Sequence, residues 1–87
     1  MTDEQKQQTR ERIGQRITAL RKMRGMTITE LAERADIGRG HLSRIESGKY
    51  AVSLDILQAI AEALGMQVDI VDERLINLAP LKVMTKE

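Results

Sequence analysis

Thr27-Ile28-Thr29-Glu30-Leu31-Ala32-Glu33-Arg34-Ala35-Asp36-Ile37-Gly38-Arg39-Gly40-His41-Leu42-Ser43-Arg44-Ile45-Glu46-Ser47-Gly48 is the run that decides the fold. Its first four residues form a capping box: a threonine side chain caps the helix start and a glutamate three residues on reaches back to the cap. Met26 and Leu31 flank the box as a hydrophobic staple. A short helix is therefore predicted from Ile28 to Ala35, turning Leu31, Ala32 and Ala35 inward. Asp36-Ile37-Gly38 interrupts it, since aspartate tolerates a left-handed backbone, glycine can stand at an N-cap, and Ile37 can anchor the turn to the core. A second short helix then runs from Arg39 to about Ser47 and is ended by Gly48. Leu42 and Ile45, three apart, are its buried side, leaving Arg39, Gly40, His41, Ser43 and Arg44 outward.

The segments on either side also read as helical. Before the run, Ile13, Ile17 and Leu20 fall at helical spacing with Met23 continuing the stripe, and Gly25 supplies a stop. This first element is expected to begin near Thr9, with the polar residues before it frayed or extending the helix. After the run, Ser53 is an N-cap with Asp55 in the first turn and Val52 and Leu57 as a staple, opening a helix that reaches Leu64 before Gly65. The period then changes to two. Met66, Val68 and Ile70 alternate with Gln67, Asp69 and Val71, which predicts a half-buried strand. Asp72-Glu73-Arg74 is a turn or strand end, and the apolar residues Leu75, Ile76, Leu78 and Leu81, interrupted by Pro80, read as strand or loop. The methionines at 23, 26 and 66 are expected at core or staple positions.

Composition bounds the function. Eighty-seven residues allow one compact domain with a modest core. The absence of cysteine removes disulfides, thiolate zinc sites and cysteine nucleophiles, and a cytoplasmic protein is the simplest expectation. Neither a secretory h-region nor a membrane-length apolar run is present. Charge is unevenly placed: residues 1–50 carry 11 Lys and Arg against 7 Asp and Glu, a net +4, while residues 51–87 carry 3 against 6, a net −3. The first half is thus the half suited to a polyanion. Tyr50 is the lone aromatic residue among Phe, Trp and Tyr. Single-strand and RNA-binding modules stack bases on aromatic side chains, so double-stranded DNA is favoured over RNA.

Two short helices joined by a three-residue turn, with small Ala32 at their crossing, make the arrangement that lets the second helix enter a major groove. Residues 13–65 resemble the lambda-repressor-like, Cro and XRE family of phage repressors and bacterial regulators. The resemblance is carried by Ile13-Gly14-Gln15-Arg16-Ile17, Leu20-Arg21-Lys22, Met26 to Ala32, Leu42-Ser43-Arg44-Ile45-Glu46-Ser47-Gly48 and Leu54-Asp55-Ile56-Leu57. It implies an all-α, four-to-five-helix lambda-repressor-like bundle containing a helix-turn-helix, to which the predicted strand adds a short C-terminal β-strand extension. By the same resemblance, Arg39, Gly40, His41, Ser43 and Arg44 face the groove. Arg39 and Arg44 lead for base readout, because an arginine can donate two hydrogen bonds to O6 and N7 of guanine. Gly40 permits close approach and Ser43 reaches a phosphate or base edge. Lys49 meets phosphate, as do Thr27 and Thr29 at the N-terminal end of the first short helix. The chain departs from the family at Ile28, where members often carry glutamine, and at Asp36, where they usually carry glycine.

Other readings of the same residues are less productive. Arg21 and Glu46 correspond to a buried or half-buried ion pair in many relatives and are assigned to structure. Arg16, Lys22 and Arg24 form a solvated helix face or touch phosphate. His41 has no second ligand or nucleophile beside it, and Gly38-Arg39-Gly40 lacks the later glycine and preceding strand of a dinucleotide loop. Tyr50 packs a loop or stacks beside the DNA backbone. No nucleophile and base pair, metal cluster or phosphate loop is found, so neither enzyme activity nor a cofactor is expected. The expected organisation is a polar arm or helix extension over residues 1–12, a DNA-binding domain over 13–65, and a strand and tail over 66–87. Edge pairing of that strand with a second copy would build a homodimer. The alternative is an antitoxin-like or adaptor protein whose C-terminal segment holds a toxin-like partner.

Overall fold

The computed structural model describes residues 1–76, which form α1 (Asp3–Met23), α2 (Ile28–Ala35), α3 (Arg39–Glu46), α4 (Leu54–Ala63) and the short α5 (Glu73–Ile76). The helices pack α1 on α3, α2 on α3 and α2 on α4. Their apolar stripes meet in one core of Ile17, Met26, Leu31, Ala32, Ala35, Leu42, Ile45, Ile60 and Leu64. Both faces expected of the central pair are buried as read: Leu31, Ala32 and Ala35 from α2, Leu42 and Ile45 from α3.

Local signals explain the boundaries. At the start of α2, Thr27 Oγ1 accepts from the Glu30 N–H at 3.1 Å while the Thr27 N–H donates to Glu30 Oε1 at 2.8 Å. Met26 is buried in the core as the outer half of the staple. Asp36 adopts φ 57 and ψ 48, the left-handed conformation that closes α2, and its N–H donates to the carbonyls of Ala32 and Glu33. Glycine takes this backbone without the steric cost that any Cβ brings. Ser53 caps α4 by accepting from the Ile56 N–H.

Four expectations need correction. The first helix begins at Asp3 rather than near Thr9, because Thr2 and Gln5 form a capping box of their own and carry the helix over two polar turns. Met23 is 77% exposed and Met66 43% exposed, so of the three methionines only Met26 joins the core. Met23 lies at the last residue of α1, where no helix among the described residues covers it. The predicted strand is absent: residues 66–72 carry no strand pairing, and no other strand exists among the described residues to pair with them. Instead the Met66 N–H bonds the Ala61 carbonyl at 2.7 Å and the Val68 N–H bonds Gln58 Oε1 at 3.0 Å, which hangs the segment on α4. Leu75 and Ile76 fall in α5, while Leu78, Pro80 and Leu81 lie outside the described residues. No helix among the described residues is long and apolar enough to cross a membrane.

Candidate nucleic-acid interface

The outward face of α3 is built by the same periodicity that buries its other side. With Leu42 and Ile45 in the core, Arg39, Gly40, Ser43 and Arg44 are exposed together. Gly40 leaves room beside the Arg44 guanidinium, which would lie 3.7 Å from a Cβ placed there. His41 departs from the outward set. It is half-buried, and its ring meets Tyr50 edge to face, with centroids 4.7 Å apart and planes at 86°. The reason is spacing: His41 stands four residues before buried Ile45 and so flanks the core stripe rather than the open face. Its Nε2 is buried without a hydrogen-bond partner among the described residues. Lys49 follows α3 and is exposed; its N–H donates to the Arg44 carbonyl at 3.0 Å.

The start of α2 lies next to the start of α3. Arg39 Nε donates to Thr29 Oγ1 at 3.1 Å across the turn, so the two exposed side chains are joined. The capping box uses the N–H groups of Thr27 and Glu30. The other N–H groups of the first turn have no intrahelical acceptor and point out of the helix end, where the helix dipole favours an anion. The Glu30 carboxyl is held below the usual carboxylate range by hydrogen bonds from the Thr27 backbone and then from its side chain. Thus Thr27, Thr29, Arg39, Gly40, Ser43, Arg44 and Lys49 are all solvent-facing, with His41 on their margin.

Beneath this face lies a polar network. Arg21 forks onto Glu46, with Nε to Oε2 at 2.8 Å and Nη2 to Oε1 at 3.0 Å, and its Nη1 donates to the Met26 carbonyl at 3.0 Å. Thr18 Oγ1 adds a 2.8 Å hydrogen bond to Glu46 Oε1. The pair's side chains are only 12% and 8% exposed, which places it under the fold rather than on the interface. Hydrogen bonding to Glu46 raises the Arg21 pKa above its ordinary value against the opposing effect of burial. The sequence reading missed Thr18 and the Thr29 link to Arg39. Thr18 was findable, since Gly14, Thr18 and Arg21 recur at i, i+4 and i+7 and so line one strip of α1; the link between α2 and α3 depends on how the helices cross.

Comparison with known proteins bears on the whole arrangement. The helix-turn-helix family model matches residues 17–71. The immunity repressor protein of Bacillus phage phi105 is 43% identical over 77 residues, which cover 86% of this chain and 54% of that protein. The transcriptional regulator ClgR of Mycobacterium tuberculosis is 34% identical over 62 residues, covering 71% and 55%. This chain therefore spans about half the length of the curated relatives it matches. Among solved structures, the restriction-modification controller protein C.AhdI from Aeromonas hydrophila superposes with a TM-score of 0.67 at 29% identity, over 68% of this chain and 89% of that one. The clp gene regulator ClgR from Corynebacterium glutamicum gives 0.65 at 36% identity, over 67% and 62%.

Proposed function

Because this chain belongs to the helix-turn-helix family of Cro- and XRE-type transcriptional regulators, we propose that it is a sequence-specific double-stranded DNA-binding repressor, acting in the cytoplasm as a homodimer on an inverted-repeat operator. The matched relatives are regulators and not enzymes. The observation that carries the reading is the exposed α3 face, where Arg39 and Arg44 stand clear while Leu42 and Ile45 lock the helix to the core. In this reading α3 of each subunit enters one of two successive major grooves about 34 Å apart. Arg39 and Arg44 read bases, Gly40 permits close approach, and Ser43 reaches a phosphate or base edge. His41 stands at the edge of the groove-facing set, held by Tyr50. Lys49, Thr27 and Thr29 meet phosphate, the threonines at the positive end of α2.

Selection of binding sites from a random duplex library tests this directly. The expected result is an inverted repeat; Arg39→Ala and Arg44→Ala each relax preference at a distinct base pair, losing about 1–3 kcal/mol of discrimination there. Enrichment of sites without symmetry would remove the homodimer, and no enrichment from the folded chain would remove sequence-specific binding.

Support for the dimer surface comes from the segment after α4. Ile70 is 97% exposed and Val71 49% exposed. Beside them lies a cavity of about 250 Å³ lined by Ile13, Ile17, Leu20, Leu57, Ile60 and Leu64 among others. A second copy would cover this apolar surface, and a two-fold axis would make the contact reciprocal. Ile70 is 97% exposed, so Ile70→Glu should keep the helical fold and convert a dimer to a monomer in sedimentation equilibrium, with the thermal midpoint losing its dependence on protein concentration. An unchanged dimer would move the interface to the helices. A wild-type monomer would leave the same surface for a partner protein, as in the antitoxin-like alternative.

A further inference from the structure

We propose that Thr29 is a positioning residue for base readout, holding Arg39 in the orientation that reads DNA. The inference rests on the reading of Arg39 given above. Arg39 and Thr29 are ten residues apart and both are exposed, yet Arg39 Nε and Thr29 Oγ1 meet at 3.1 Å. A guanidinium carries five N–H donors in a planar fork. With Nε tied to Thr29, Nη1 and Nη2 stay free, and the two N–H groups they direct along the outer edge, one from each, fork onto O6 and N7 of guanine. A hydroxyl donates as well as accepts. While Thr29 accepts from Arg39, its own hydrogen is left for a phosphate oxygen at the start of α2. One hydroxyl then ties the contact that sets register on the backbone to the contact that reads a base, and α2 controls the rotamer of a residue on α3.

The geometry also accounts for a threonine at this place. Arg39 opens α3, and the N-cap before it is Gly38, which provides no side-chain hydrogen bond. Without Thr29, nothing else among the hydrogen bonds of the described residues holds the Arg39 side chain. A free arginine would surrender rotamer freedom on binding, whereas a tethered one has surrendered part of it in the free protein.

The test is a site-preference profile of the full chain carrying Thr29→Val, Thr29→Ser, Arg39→Ala and Thr29→Val with Arg39→Ala. Thr29→Val keeps the branched shape and removes the acceptor; Thr29→Ser keeps the acceptor. Thr29→Val should weaken preference roughly three- to tenfold at the one base pair whose preference Arg39→Ala abolishes, from the rotamer freedom returned to Arg39. Thr29→Ser should retain that preference. In the Arg39→Ala background, Thr29→Val should change the profile no further, because Thr29 acts through Arg39. A uniform loss of affinity over all sequences with the profile intact would make Thr29 a phosphate contact alone and overturn the proposal, while Arg39 as base reader would stand. An unchanged profile in Arg39→Ala would overturn both.

Discussion

Gly14→Ala is expected to destabilise the protein by about 3 kcal/mol, the upper part of the usual range for an overpacked site. An alanine Cβ at Gly14 would sit 2.5 Å from the carbonyl oxygens of both Ile45 and Glu46 and 2.9 Å from the Glu46 carbonyl carbon. All three are backbone atoms of α3, so no side-chain rotation relieves them. The opposing effect is helix propensity, by which alanine gains about 1 kcal/mol over glycine in a helix interior. The clash wins because relief requires α1 and α3 to part, and parting them also lengthens the hydrogen bonds from Thr18 and Arg21 to Glu46. A loss of this size lowers the midpoint of thermal unfolding by roughly 12–24 °C for a domain of this length. Calorimetry of Gly14→Ala reads it. A midpoint within about 4 °C of wild type would show that the helices separate at little cost.

Glu46→Ala is expected to cost about 3–5 kcal/mol, the loss typical when one partner of a buried ion pair is removed. It leaves the Arg21 guanidinium, 12% exposed, without its carboxylate, while the Thr18 hydroxyl keeps the Gly14 carbonyl as an acceptor at 3.0 Å. The sign of the pair's own contribution is a separate question, because desolvating two charges offsets much of their attraction. Arg21→Met combined with Glu46→Leu separates the two effects: the double variant should unfold at higher urea than Glu46→Ala, since no buried charge is left unmatched. Urea titrations at constant m report these differences as shifts in midpoint. A loss below about 1 kcal/mol in Glu46→Ala would give the pair the weight of an exposed salt bridge.

Both predictions concern one strip of α1 that the apolar pattern does not reveal. Ile13, Ile17 and Leu20 announce the helix face that meets the core, and Ile17 is indeed buried with Ile13 and Leu20 packed against it. Gly14, Thr18 and Arg21 run beside that stripe. In isolation Gly14 and Thr18 look like a helix-weakening glycine and a solvated polar residue; the family resemblance marks Arg21 and Glu46 as a structural pair, but only the arrival of α3 turns the strip into a close approach and a charge network. The candidate interface divides in the same way. Arg39, Gly40, Ser43 and Arg44 are legible as outward because Leu42 and Ile45 define the inward side. His41 is legible only in part: its spacing to Ile45 places it at the boundary, but its contact with Tyr50 is made by the loop after α3.

The strand expected over Met66 to Val71 shows the limit from the other side. Alternation of apolar and polar residues reports that one face of an extended segment is suited to burial; it does not supply the second strand whose backbone must complete the ladder. In the single chain Gln58 and Ala61 take two of the N–H groups instead. By itself the sequence determined α2, α3 and α4 and their ends, because caps, staples and periodicity act within a few residues of one another. The tertiary structure alone decided where α1 and α3 touch, that Thr18 joins the Arg21–Glu46 pair, and that Thr29 meets Arg39, since these depend on how two rigid helices cross and that crossing is set by the packing of the whole core.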